Sequence, residues 1–190
     1  MSLESSIVDD KDHEADIEHW VKLKGEYRYE AIIDFLEGKG IECTWKTVTD
    51  YVRYDKRLVI NSIKYIIVLE ELYTSFVCSI FKKRKPEDLK TFRMAYNEYL
   101  ALGNEASYDG VDLEVMKKYN GTLNEFRNKS VHNDVLICEQ FEELPLEETL
   151  KCFIKILPKS YRRGFIRDIN VCARDLKVEK WHIELPVSEQ

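Results

Sequence analysis

The segment from Lys56 to Phe81 constrains the fold most, because none of the chain's seven Gly or four Pro falls within it. Its apolar positions, Leu58, Ile60, Ile63, Ile67, Leu69, Leu72, Phe76, Val77 and Ile80, cover too much of a helical surface for an element lying on the outside. The expectation is the central helix of a bundle, with Leu58, Ile63, Ile67 and Phe76 buried. Lys64, Glu70 and Glu71 interrupt the run, so no charge-free stretch approaches the roughly 20 residues that a bilayer requires.

The same 3.6-residue spacing recurs along the chain, and no region shows sustained period-two alternation with hairpin turns. Helices are expected over Ile17 to Lys24, Tyr29 to Glu37, Trp45 to Tyr54, Lys56 to Phe81, Pro86 to Leu102, Val111 to His132, Leu146 to Leu157 and Ser160 to Leu176. The fold class is all-α, a helical bundle with a small N-terminal helical appendage. Four regions follow: an acidic arm over 1–16, an N-terminal helical segment over 17–55, the bundle over 56–178 and a C-terminal tail over 179–190. Gly103 to Gly110 reads as a polar loop, Asp112 as a helix cap, and Gly121 as a kink or close contact costing about 1 kcal/mol relative to Ala.

With 29 Lys and Arg against 35 Asp and Glu, the net charge of -6 argues against broad nonspecific nucleic-acid binding. Local sites remain open. Lys82-Lys83-Arg84-Lys85 is one basic cluster, and Lys159, Arg162, Arg163 and Arg167 form another at helical spacing. Taken alone, each reads as a solvated helix end or face. Cys43, Cys78, Cys138, Cys152 and Cys172 are odd in number and never form C-x-x-C, and no signal peptide precedes them. A reduced, cytoplasmic setting is expected.

Chemistry concentrates in Arg127-Asn128-Lys129-Ser130-Val131-His132. A guanidinium stays charged and forks onto phosphate oxygens, an amide orients neighbouring groups, and an imidazole exchanges protons near neutrality. On a helix, Arg127 and His132 lie about 140° apart with Asn128 between them, about 40° from His132, so one cleft wall can carry all three. An Arg/His pair on a helix is also common as surface decoration or a core hydrogen bond. Tyr119, Asn124 and Asp134 are candidates to support the site.

Arg127-Asn128-x-x-x-His132 resembles the signature of HEPN domains, the helical family that includes ribonuclease toxins and abortive-infection (Abi) proteins. Tyr54-Asp-Lys-Arg-Leu followed by Ile67-Val-Leu-Glu-Glu is similar to the first long helix of Abi-type HEPN domains, and the stretch from Tyr29 to Ile41 loosely resembles their N-terminal region. The resemblance implies a HEPN-type bundle and a metal-independent endoribonuclease that cleaves RNA by attack of the ribose 2'-OH. Arg127, Asn128 and His132 would be catalytic, in a homodimer whose two motifs face one another. RNA is the implied substrate, a protein antitoxin an implied partner, and no cofactor or metal is called for.

A noncatalytic helical module that binds DNA, a nucleotide or a partner protein is the alternative. Tyr29 to Arg57, broken at Gly38-Lys39-Gly40, has the outline of a helix-turn-helix, although its second helix offers only Lys46 and Arg53 as basic readers and packing explains it as well. A metal site has little support: His13 and His19 are six apart rather than four, and His182 stands beside Trp181 near the C-terminus.

Overall fold

The computed structural model describes residues 14–82, 85–89, 91–103, 108–142 and 144–187, with side chains from residue 19 onward. His13 and most of the acidic arm, Lys83 and Arg84 of the first basic cluster, and 104–107 of the polar loop lie outside the described residues. In chain order the α-helices are α1 (Glu14–Lys24), α2 (Glu26–Gly38), α3 (Trp45–Ile80), α4 (Phe92–Ala101), α5 (Leu113–Lys118), α6 (Asn120–His132), α7 (Leu146–Ile156) and α8 (Lys159–Asn170). Short 3-10 turns at Pro86–Asp88 and Val171–Ala173 flank α4 and α8. Two two-residue strands, Gln140–Phe141 and Leu144–Pro145, pair antiparallel. The architecture is all-α.

Helix α3 spans 36 residues, about 54 Å at 1.5 Å per residue, and packs against α2, α4, α6 and α8. It starts at Thr44, whose hydroxyl accepts from the Thr47 amide at 3.2 Å. The break expected between Tyr54 and Lys56 is absent. No glycine or proline interrupts the backbone there, and Asp55 is buried in an ion pair rather than placed at a turn. The second half of the apparent helix-turn-helix is therefore the opening third of the central helix, with Trp45, Val48, Tyr51 and Val52 committed to the core.

Of the four α3 residues expected inside, Leu58 is buried, Ile63 and Phe76 are half-buried, and Ile67 is 48% exposed. The inward seam is Leu58, Ser62, Tyr65, Ile66, Leu69, Tyr73 and Val77, with tyrosines filling places that an aliphatic count assigns elsewhere. Ile60 and Ile67 lie roughly opposite Leu69 around the helix.

Two further expected helices are divided. The Pro86 to Leu102 stretch resolves into the 3-10 turn and α4, which restarts on the Thr91 cap. Val111 to His132 breaks at Tyr119, which leaves helical geometry at φ -111° and ψ 29°, giving α5 and α6. The Asp112 side chain caps α5 by accepting from the Val115 amide at 3.0 Å. Gly121 is the close contact: a Cβ there would meet the Glu142 carboxylate.

One continuous core runs from Tyr29 to Leu185. Phe126 of α6 meets Phe141 and Phe153 edge-on, and Phe153 meets Phe165. At the far end, the Ile183 amide donates to the Tyr54 hydroxyl at 2.8 Å and Trp181 packs on Phe35, so the chain beyond 179 is fastened to α2 and α3. Among the described residues, no helix is long and apolar enough to cross a membrane.

Candidate functional site

Helix α6 sets the site. Leu123, Phe126 and Ser130 face the core, which turns Asn128 and His132 outward and leaves Arg127 at the boundary with α3 and α4. Arg127 donates through Nε (3.0 Å) and Nη2 (2.7 Å) to one oxygen of Glu70, and its guanidinium lies 5.7 Å from the centre of the Phe92 ring. Nη1 donates to the Asn128 side-chain oxygen at 3.2 Å. Three of the five N–H groups are thus engaged, and two remain for an anion.

His132 closes α6 and is exposed, and among the described residues its imidazole has neither a hydrogen bond nor an ion pair. The structure joins Arg127 to Asn128 but does not bring the imidazole to them. Five residues along a helix place His132 about 7.5 Å further along the axis as well as on another side. Asn124 turns back to the Asn120 carbonyl at 2.8 Å, and Lys129 pairs with Glu139 at 2.5 Å.

Immediately after His132, Asn133 ends the helix in left-handed geometry at φ 61° and ψ 38°. Its carbonyl accepts from Arg28 Nη2, and its side-chain oxygen accepts from Lys56 Nζ at 2.5 Å. Arg28 Nη1 pairs with Asp55 at 2.5 Å, while the other Asp55 oxygen accepts from the amides of Leu136 (2.7 Å) and Ile137 (3.1 Å). Burial pushes the Asp55 carboxyl up, against the pull of these two amides and Arg28. Thus α2, α3 and the end of the motif helix are fastened together beside His132.

Around this junction lies a cavity of about 420 Å³ lined by Leu23, Lys24, Arg28, Val52, Arg53, Lys56, Arg57 and Asn133. Five of these eight residues are cationic. Burial, then the charges of Arg53, Lys56 and Arg28, lower the pKa of Lys24; burial, then Arg28, lowers that of Lys56.

Glu70 and this cavity are absent from the sequence reading of the site. Glu70 was visible only as an interruption of the apolar run and as part of Ile67-Val-Leu-Glu-Glu. The cationic face was legible as Arg53, Lys56 and Arg57 at i, i+3 and i+4, but the expected helix end at Tyr54 divided it. Two of the four residues of the second basic cluster are occupied locally: Arg162 caps α7 through the Leu157 carbonyl at 2.9 Å, and Arg167 pairs with Asp168 at 2.9 Å. Among the described residues, no group of three or more His, Cys, Asp or Glu is arranged to hold a metal ion. No family profile, curated protein sequence or solved structure gives a significant match to this chain.

Proposed function

We propose that the chain is a metal-independent endoribonuclease of the HEPN type, acting as a homodimer, with Arg127, Asn128 and His132 at its catalytic centre. The observation that carries the reading is the partnerless, exposed imidazole of His132, on the same short helix as a guanidinium that Glu70 orients and leaves two N–H groups free. A toxin or abortive-infection effector, with a protein antitoxin as regulator, is the setting that the signature resemblance suggests.

In the reaction, the ribose 2'-oxygen attacks the adjacent phosphorus as an imidazole takes its proton. The P–O5' bond breaks, and the departing 5'-oxygen takes up a proton from an imidazolium. The products are a 2',3'-cyclic phosphate and a 5'-hydroxyl. Arg127 stabilises the charge that builds on the phosphoryl oxygens, and Asn128 holds the guanidinium or the ribose in place.

Attack and departure occur on opposite sides of phosphorus, which one imidazole does not span. A two-fold axis beside α6 supplies a second His132. Glu70, the carboxylate on Arg127, gives one of its oxygens to the guanidinium and holds it in place.

The test is incubation of purified protein with mixed RNA, with and without EDTA, alongside sedimentation analysis. Cleavage that persists in EDTA from a dimeric species supports the reading. Cleavage that needs added divalent metal, or an active monomer, refutes it.

A further inference from the structure

The cationic cavity at the junction of α1, α2 and α3 has a charge imbalance that folding alone does not explain. Arg28 is matched by Asp55, and Arg53 reaches Asp50 at 3.3 Å. Arg57 donates to the carbonyls of Cys172 (3.1 Å) and Arg174 (2.7 Å), Lys56 to the amide oxygen of Asn133, and Lys24 lies 5.0 Å from the centre of the Trp20 ring. Lys24, Lys56 and Arg57 therefore carry three positive charges facing one cavity with no carboxylate in ion-pair contact among the described residues, Asp55 acting on Lys56 only from a distance. In a chain of net charge -6, acidic side chains were abundant enough to pair with them. Like charges gathered in a partly desolvated cavity repel, and a multiply charged anion relieves that repulsion.

The shape and walls narrow the ligand. About 420 Å³ falls within the range of about 300–1,000 Å³ typical of small-molecule sites. Buried Arg28 forms a fixed floor, locked on two sides, while exposed Lys24, Arg53 and Lys56 form a rim. Leu23, 64% exposed, supplies an apolar wall above the nearly buried Val52, and Trp20, 40% exposed, stands beside the lining under the Lys24 ammonium. Arginine forks suit phosphate, and aromatic or apolar faces suit a nucleobase. By contrast, a second cavity of about 330 Å³, lined by residues including Arg174, Glu179 and His182, has no such excess of cations.

We propose that this cavity binds the phosphate group of a nucleotide, with Lys24, Lys56 and Arg57 supplying the uncompensated charge and Leu23 and Trp20 the surface for the nucleoside. The phosphate comes either from a free nucleotide or from a residue within an RNA strand. The site adjoins His132 through Asn133 but does not rest on catalysis by it. A protein that binds nucleotide and cuts no RNA would lose the ribonuclease reading and keep this one.

The test is calorimetry at low salt on the full chain with three probes: pyrophosphate, adenosine diphosphate, and a 2'-O-methyl RNA oligonucleotide that cannot be cleaved by internal attack. Binding of adenosine diphosphate identifies a free nucleotide as the source. Binding of the oligonucleotide without adenosine diphosphate identifies the strand. In either case Lys24→Glu with Lys56→Glu weakens affinity at least tenfold. The milder Lys24→Met with Lys56→Met does so too, while a cooperative melt and an unchanged circular dichroism spectrum show that the fold is kept. Trp20→Ala weakens binding of the nucleotide or oligonucleotide and leaves any pyrophosphate binding unchanged. The proposal is overturned if neither nucleotide nor oligonucleotide binds, if binding survives both charge variants, or if pyrophosphate binds as tightly as adenosine diphosphate.

Discussion

Asp55→Ala should be the most damaging single substitution at the junction beside the site. The Asp55 side chain is fully buried and its Arg28 partner is 8% exposed, so truncation leaves a guanidinium in the interior without its counter-charge. Breaking a buried pair in this way costs about 3–5 kcal/mol. The amides of Leu136 and Ile137 lose their acceptor at the same time, each at about 1–3 kcal/mol. Because the groups share one carboxylate, the terms do not simply add, and about 4–7 kcal/mol is expected against the roughly 5–15 kcal/mol that holds a typical domain folded. Asp55→Asn also removes the counter-charge but retains an acceptor for the amides, so it should cost less than Ala by about the 1–3 kcal/mol of an orphaned amide. Urea unfolding followed by circular dichroism measures both. An Asp55→Ala protein within about 1 kcal/mol of the parent, or an Asn variant as unstable as the Ala variant, would refute the view that this carboxylate clamps the motif helix to α2 and α3.

Three other outcomes are expected. His132→Ala should change stability by no more than about 0.5 kcal/mol, as at an ordinary surface site, whereas Arg127→Ala should cost about 1 kcal/mol because it strands Glu70 and uncovers Phe92; thermal melts distinguish the two. Gly121→Ala should be neutral or stabilise by up to about 1 kcal/mol in chemical unfolding, since the only obstacle is the flexible carboxylate of exposed Glu142; a clear loss would show that this side chain is fixed. Burial pushes the Asp168 carboxyl up, but Lys64 (2.6 Å), Arg167 (2.9 Å) and Tyr65 (2.9 Å) outweigh it and hold the pKa below the usual carboxylate range. Its contribution is therefore present above about pH 3.9, the usual aspartate value, and lost as pH falls toward the lowered one; a parent and an Asp168→Asn variant with the same acid limb in melts against pH would contradict this.

Periodicity made the bundle and its central helix legible because nothing between Lys56 and Phe81 could end a helix. The same method placed a boundary at Tyr54 and Lys56, where Asp55 reads as polar punctuation. Its actual partners, Arg28 and the Leu136 and Ile137 amides, are 27 to 82 positions away in sequence and invisible to local spacing. That one boundary also hid the cationic face, by assigning Arg53 to one helix and Lys56 and Arg57 to another. Tyr119 shows the opposite error: a 3.6-residue pattern continues across a backbone break when both short helices present apolar residues to the same core. Of the motif, the outward placement of Asn128 and His132 follows from the burial of Leu123, Phe126 and Ser130. The half-buried Arg127 does not, because its position depends on Glu70 and Phe92 from two other helices.

The most direct test of the central claim compares the parent and His132→Ala on RNA in EDTA, with the chemistry of the new ends determined and folding checked by melts. The account predicts parent products with 2',3'-cyclic phosphate and 5'-hydroxyl ends, and a fully folded His132→Ala protein slower by a factor of about 10² to 10⁴. A His132→Ala protein that cuts as fast as the parent, or parent products with 5'-phosphate ends, would contradict it.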